Sequence, residues 1–396
     1  MIVPGSTLGL LGGGQLGRMF TMAAQRMGYR VVVLDPSLHS PAGDVADEHI
    51  RADYADPAAL ARLARACAAV TTEFENVPAE ALGFLARHCG VSPTAESVAV
   101  AQDRIREKEF LCAAGFPVAP FVVVRDGAAL ARADAVELYP GILKVSRFGY
   151  DGKGQVSVAS PAHALAAWHS LGSEPCVLEK RLALATEVSV VVARDVTGQV
   201  ITFPVAENQH RHGILDISIV PARVPASLAA EACRTGIAVA EALDYRGVLC
   251  VEMFVLEDGR LVVNEIAPRP HNSGHYSLDA CITSQFEQQV RVLAQLPLGD
   301  PGLHCPAVMV NLLGDLWAQG EPDWRLVLEH PRAKLHLYGK REARPRRKMG
   351  HYTVLADRVE SALDTALAIK ARLEQTCLPA RGPGPELAAK HEGGQG

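Results

Sequence analysis

Two glutamates, Glu252 and Glu265, are spaced so as to meet across a hairpin. The stretches Val248 to Leu256 and Leu261 to Glu265 are largely apolar and flank Glu257-Asp258-Gly259-Arg260, where Asp-Gly is a favoured two-residue loop. Pairing Glu257 with Arg260 sets the two carboxylates directly opposite each other on one sheet face, their Cβ atoms ~5 Å apart. Like charges so placed repel. Apolar strands tolerate them where a proton is shared or a cation lies between, and hard oxygen donors in this arrangement suit Mg2+. A solvated pair on an edge hairpin is the alternative, and the next residues weigh against it. Ile266 to His275 reads Ile-Ala-Pro-Arg-Pro-His-Asn-Ser-Gly-His, in which two prolines stiffen a loop that presents Arg269, His271, Asn272, Ser273 and His275. Arginine and histidine beside a carboxylate pair make a candidate site for anion binding and proton transfer.

Three further stretches carry chemistry. Gly12, Gly14 and Gly17 form G-x-G-x-x-G after a strand and at the opening of a helix, where backbone amides attract phosphate. With Asp35 standing where a ribose-binding acid would be, the loop alone fits a nicotinamide-dependent dehydrogenase, a phosphomonoester site or a tight packing turn. Lys144 ends a strand just before the glycine-dense turn Gly149 to Gly154: a lysine on a fixed base can reach phosphates while a glycine loop closes over them. The strand from Cys176 runs into Glu179-Lys180-Arg181-Leu182, with Glu187 beyond, and such a strand end can read an adenine and a ribose.

The elements that must hold these groups alternate. Thr7 to Leu11, Arg30 to Leu34 and Ala69 to Thr72 read as strands around a helix from Gln15 to Met27, which implies a parallel sheet. One helical stretch from Thr94 to Ala114 stops at Gly115-Phe116-Pro117, a hinge. Strands with a helix near Ala162 to His169 follow, then a helix at Ser227 to Leu243 and another after Ala280. Beyond Pro301 the pattern is β-rich with a late helix near Val359 to Leu373, and Pro379 to Gly396 has no apolar face, so disorder is expected there.

Length and composition bound the rest. A chain of 396 residues exceeds one ordinary domain and suggests about two to three. With 48% hydrophobic and 21% charged residues and a net charge of -5, nothing drives it toward nucleic acid or an anionic membrane, so local basic clusters are small-anion sites. Nine cysteines without any C-x-x-C indicate neither zinc nor a disulfide framework, and a reducing cytoplasm fits. No basic leader and no apolar run of ~18 residues is present, so neither export nor insertion is expected.

Taken in order, the strand lysine, the glycine loop, the charged strand end and the carboxylate pair with Asn264 beside Glu265 resemble the ATP-grasp superfamily. Gly12 to Met19 and Asn264 to His275 narrow the resemblance to the carboxyaminoimidazole ribonucleotide synthase family of purine biosynthesis. Thr72 to Asn76, Tyr338-Gly339-Lys340 and Arg346 to His351 are also similar to that family. The resemblance implies an α/β fold: a Rossmann-like, substrate-phosphate-binding domain (1–102), an ATP-grasp domain (103–300) with a mobile lid at about 115–182, a small β-rich C-terminal domain (301–378) and a disordered tail (379–396). It implies ATP contacts at Arg104, Lys144, Gly149, Tyr150, Asp151, Gly152, Lys153, Gly154, Gln155, Glu179, Lys180, Arg181, Leu182, Glu187, His210, Asn264 and Glu265, with Mg2+ on Glu252 and Glu265. Substrate contacts would come from Gly14, Gln15, Leu16, Glu73, Glu75, Tyr150, Lys340 and Arg347, and catalysis from Arg269, His271 and Tyr150, with His271 expected to take a proton from the substrate amine. Arg181 and His212 depart from the family pattern, which leaves the adenine pocket and the choice of histidine open. The implied reaction is ATP- and bicarbonate-dependent carboxylation of aminoimidazole ribonucleotide through carboxyphosphate, in a cytoplasmic homodimer. A formate-using formyltransferase and the dehydrogenase are the competing activities, and a catalytically silent nucleotide-binding module finds no support in residues that are all present.

Overall fold

A computed structural model of the chain describes residues 1–149 and 152–376; the expectations for Tyr150, Asp151 and the tail lie outside the described residues. The N-terminal strands form a five-stranded parallel sheet in the order Glu48–Ile50, Arg30–Leu34, Thr7–Leu11, Ala69–Thr72, Gly90–Val91. Strand order reverses between Thr7–Leu11 and Ala69–Thr72, and such a switch point opens a crevice at the carboxyl ends of the strands. Gly12 and Glu73 are the first residues past those two strand ends.

The stretch expected to be one helix before the hinge is two, Ala95–Ala101 and Arg104–Ala113. Asp103 breaks it, because its carboxylate caps the second helix by accepting from the amides of Ile105 and Arg106. The same carboxylate accepts from Ser146 Oγ at 2.5 Å, tying the helix start to the lysine strand.

Past the hinge, Phe121–Val124, Cys176–Lys180, Gly141–Val145 and Gln155–Val158 make a four-stranded antiparallel sheet around its own core of Val122, Val124, Leu143, Val158 and Leu178. The central sheet is larger. Its order is Leu261–Ala267, Gly247–Leu256, Leu184–Arg194, Ala206–Arg211, Ile214–Val220, Ala307–Leu313, Lys348–Leu355, Ala333–Leu337, with Val200–Thr202 also on Leu184–Arg194. The β-rich C-terminal segment therefore continues the central sheet instead of building a separate one, through the pairing of Ile217 with Val310 and Ile219 with Val308. Helix Val359–Thr376 covers that end with Ala362, Ala366, Ile369 and Leu373.

Helix Gln285–Leu293 locks the parts together. Its Phe286, Val290 and Leu293 pack with Leu16, Met19 and Phe20 of helix Gln15–Arg26 and with Tyr338, each large side chain stabilising the contact by ~2 kcal/mol. The N-terminal crevice and the carboxylate hairpin thereby border one cleft.

Candidate active site

Glu252 and Glu265 are partners in the ladder between Gly247–Leu256 and Leu261–Ala267. The expected pairing is present, but not by the expected turn. The loop has three residues, Glu257 to Gly259, because Leu256 N–H bonds to Arg260 O at 2.9 Å and Gly259 closes it with φ at +85°. That shifts the register near the turn by one residue. A bulge at Asn264, between the Glu252–Glu265 and Met253–Val263 pairs, shifts it back. Asn264 Oδ1 is buried without a hydrogen-bond partner among the described residues.

Glu265 receives Arg104 Nη1 at 3.2 Å, and Arg104 is joined through its own amide to Ser146 O at 2.8 Å. Lys144 Nζ bonds to Glu179 Oε2 at 2.9 Å across adjacent strands. A second lysine, fully buried Lys108, stands 3.6 Å from the same oxygen and donates to Asn264 O at 2.9 Å. Burial opposes charge on Glu179, but Lys144, Lys108 and Arg104 outweigh it and hold its pKa down to about 2. Three cations around one carboxylate leave a net positive seat of the kind a polyphosphate requires. Lys108 and its neighbour Glu107 were missed in the sequence, although Arg104 and Lys108 have the i, i+4 spacing that puts two charges on one helix face. Glu107 is buried and accepts from Ile266 N at 2.5 Å; burial first, with Glu265 adding to it, pushes its pKa up to about 7 against the pull of Arg104 and Lys108.

The two histidines His210 and His212 have different surroundings. His210 Nδ1 lies 2.9 Å from Glu187 Oε2, and this bond overcomes burial to raise its pKa, whereas His212 sits in the turn with φ at +53° and gives its carbonyl to Arg346 Nη2 at 2.8 Å. Lys180, Arg181 and Leu182 follow the strand end, with the amides of Lys180 and Arg181 already bonded to Pro120 O and Pro140 O. Val145 N–H to Gly154 O at 2.8 Å closes the base of the glycine loop, and Gln155 starts the return strand.

The loop after Glu265 is pinned residue by residue. Arg269 Nε bonds to Glu75 Oε2, and the pair keeps the Glu75 carboxylate ionised despite burial. Asn272 exchanges two side-chain bonds with Asn311, at 3.0 and 2.7 Å. His271 Nε2 lies 2.8 Å from Glu252 Oε1, and its Nδ1 meets Ser273 Oγ at 2.8 Å. Burial opposes ionisation of Glu252, but the His271 contact wins and lowers its pKa to about 2. Both ring nitrogens of His271 are thus engaged.

In the N-terminal loop Gly14 N–H and Gly17 N–H donate to the two oxygens of Glu73, at 2.8 and 3.2 Å. Leu16 points into the core, and Asp35 accepts from Tyr54 Oη at 2.5 Å. Burial raises the Glu73 pKa, while the two amides, Arg269 and Lys340 oppose that rise. Lys340 itself donates to Lys348 O at 2.7 Å and lies over the Tyr338 ring; Arg347 is half-exposed and donates to Glu342 O. One cleft is lined by Glu75, Arg104, Glu107, Gly149, Glu265 and Arg269, so it joins the N-terminal crevice, the glycine loop and the carboxylate hairpin.

Known proteins share this layout. Residues 5–102 match a ribonucleotide synthetase preATP-grasp domain, 109–286 an ATP-grasp domain and 307–365 a phosphoribosylaminoimidazole carboxylase C-terminal domain. The chain is 45% identical over 355 residues to N5-carboxyaminoimidazole ribonucleotide synthase of Bacillus subtilis, covering 90% of this chain and 93% of that one. It is 47% identical over 358 residues to the Brucella melitensis protein of the same name, covering 90% and 98%. Among solved structures, the Aspergillus clavatus N5-carboxyaminoimidazole synthase in complex with ADP and 5-aminoimidazole ribonucleotide superimposes with a TM-score of 0.86 at 32% identity, over 93% of this chain and 99% of that one. By its domains, its cleft and these relatives, the chain belongs to the N5-carboxyaminoimidazole ribonucleotide synthase family of ATP-grasp enzymes.

Proposed function

We propose that the protein uses ATP and bicarbonate to carboxylate the exocyclic amine of 5-aminoimidazole ribonucleotide, releasing ADP and phosphate. The observation that carries this reading is the single cleft in which Glu265 and Arg104, beside the Lys144–Lys108–Glu179 cluster, face Arg269 and Glu75 at the mouth of the N-terminal crevice. A nucleotide and a second anionic substrate can meet there. The Aspergillus clavatus relative, whose solved structure holds ADP and 5-aminoimidazole ribonucleotide, supports both occupants.

Lys144, Lys108 and Arg104 neutralise the phosphates of ATP, and the loop from Gly149 to Gly154 closes over them to exclude water. The donor set fits Mg2+: two opposed carboxylates and a buried amide oxygen without a partner are hard donors, and Mg2+ binds through one or two carboxylates completed by nucleotide phosphates. Glu252, Glu265 and Asn264 would hold the ion, which when bound supplies charge neutralisation at the transferring phosphoryl group.

A bicarbonate oxygen attacks the γ-phosphorus and ADP leaves. The carboxyphosphate then breaks its carbon–oxygen bond to phosphate, giving carbon dioxide and inorganic phosphate, and the amine attacks the carbon and passes its proton to the released phosphate. Arg269, held by Glu75, steadies the anionic intermediate, while Lys340 and Arg347 grip the phosphate of the ribonucleotide.

Phosphate release tests the reading. It is expected to require both bicarbonate and aminoimidazole ribonucleotide, and formate with its own amine substrate is expected not to replace them. Arg269→Ala is expected to lower that turnover by about 100-fold, the cost of removing one preorganised charge partner from an intermediate. Turnover in the variant equal to wild type contradicts the role, and turnover with formate contradicts the reaction.

A further inference from the structure

Six polar side chains from four strands and one loop form a continuous buried chain that ends on Glu252. Ser218 Oγ donates to Asn208 Oδ1 at 2.8 Å, Asn208 Nδ2 to Ser189 Oγ at 2.8 Å, and Ser189 Oγ to Ser273 Oγ at 2.7 Å. Ser273 Oγ meets His271 Nδ1 at 2.8 Å, and His271 Nε2 reaches Glu252 Oε1 at 2.8 Å. Ser218, Ser189 and Ser273 are at most 1% exposed and Asn208 is 5% exposed, so none of these protons has a solvent alternative.

The direction of the first three bonds is fixed. An amide oxygen can only accept, so Ser218 donates to Asn208, and the amide nitrogen can only donate, so Ser189 receives. Ser189 then spends its one proton on Ser273, whose oxygen meets His271 Nδ1. The backbone N–H of Ser273 also points at Nδ1, at 3.3 Å. Nε2 faces the carboxylate. Cys250 Sγ is 3.8 Å from Ser273 Oγ and is the one alternative acceptor near the chain among the described residues.

We propose that Ser273, Ser189, Asn208 and Ser218 are positioning residues, acting through His271 to fix the orientation of the Glu252 carboxylate for cation binding. This rests on the proposed cation role of Glu252 and extends it into the sheet. Ser189 is the ladder partner of Glu252 itself, so one pair of strands supplies both the carboxylate and the link that aims it. Histidines that orient metal ligands are fixed by their second nitrogen in the same manner.

The test uses Mn2+ binding to the full-length protein with ADP, in the absence of bicarbonate and ribonucleotide, together with nitrogen NMR of isotope-labelled histidine. Ser189→Ala is expected to weaken Mn2+ binding by about 10-fold, and Ser189→Thr, which keeps the hydroxyl, to restore it to within about 3-fold. The resonances lost on His271→Asn identify that ring, and they are expected to shift in Ser189→Ala and to return toward the wild-type positions in Ser189→Thr. Unchanged Mn2+ affinity or unchanged His271 resonances in Ser189→Ala overturns the proposal. Should Ser189→Ala not fold, Asn208→Ala, one link further along the chain, carries the same two readouts. Neither readout includes carboxylation, so failure of the proposed reaction would leave both standing.

Discussion

At Gly14 and Gly17 the backbone amides meet the carboxylate of Glu73, brought from the end of a neighbouring strand, whereas beside the second glycine loop Phe148 is 68% exposed and Gly152 and Gly154 take φ of +74° and +70°. A Cβ on Gly14 would stand 2.4 Å from Glu73 Oε1, a distance that cannot be kept, while one on Gly152 would meet the His212 carbonyl at 3.2 Å, a tight contact that a shift of a few tenths of an ångström relieves. Both loops are glycine-rich. In the first, glycine admits an internal carboxylate against a helix N-terminus; in the second, it supplies the backbone freedom that the closure proposed above would use.

Their buried carboxylates differ in the same sense. Burial dominates at Glu73 and raises its pKa, while three cations dominate at Glu179 and hold it at about 2. The two therefore respond oppositely to acid. A depressed pKa contributes stability that is complete above the ordinary glutamate value of 4.5 and is lost as pH falls toward about 2. A raised pKa contributes at low pH and is lost as pH rises through the folded value.

The largest expected effect follows from this contrast. Glu179→Gln is expected to cost about 3 kcal/mol at neutral pH, because a shift of this size corresponds to ~1.4 kcal/mol per unit. In denaturant titrations that difference shrinks as pH falls below 4.5; a difference independent of pH breaks the electrostatic half of the comparison. Gly14→Ala is expected to cost about 2 kcal/mol through overpacking against Glu73, read as a lower melting temperature. Melting at the wild-type temperature would mean that the first loop is as free as the second. Gly152→Ala is the smallest change. Its φ of +74° costs an alanine about 1 kcal/mol, so the KM for ATP is expected to rise about fivefold with melting almost unchanged. A lower melting temperature with unchanged KM would reverse the roles of the loops.

This contrast also marks what could be read from the residues. Gly12 to Gly17 was recognisable as an anion-facing turn, but the anion comes from Glu73, 59 residues beyond Gly14, and no local pattern reveals a partner at that separation. The Glu252–Glu265 pairing was legible through the alternation of the strands, yet the turn and the Asn264 bulge each departed from the simple hairpin and compensated. Asp103 as a cap and Lys108 as a second buried lysine had local signals, a helix N-cap residue and an i, i+4 pair. The role of Ser189, Asn208 and Ser218 had no local signal, because isolated polar residues in strands gain meaning only when the sheet aligns them.

The central claim is that bicarbonate itself receives the phosphoryl group in this cleft. Bicarbonate labelled with heavy oxygen, supplied with ATP and aminoimidazole ribonucleotide, tests it by mass spectrometry of the released phosphate. One labelled oxygen per phosphate is the predicted result, since the oxygen that attacks phosphorus stays there when the carbon–oxygen bond breaks. Unlabelled phosphate, with its new oxygen drawn from water, would contradict the account.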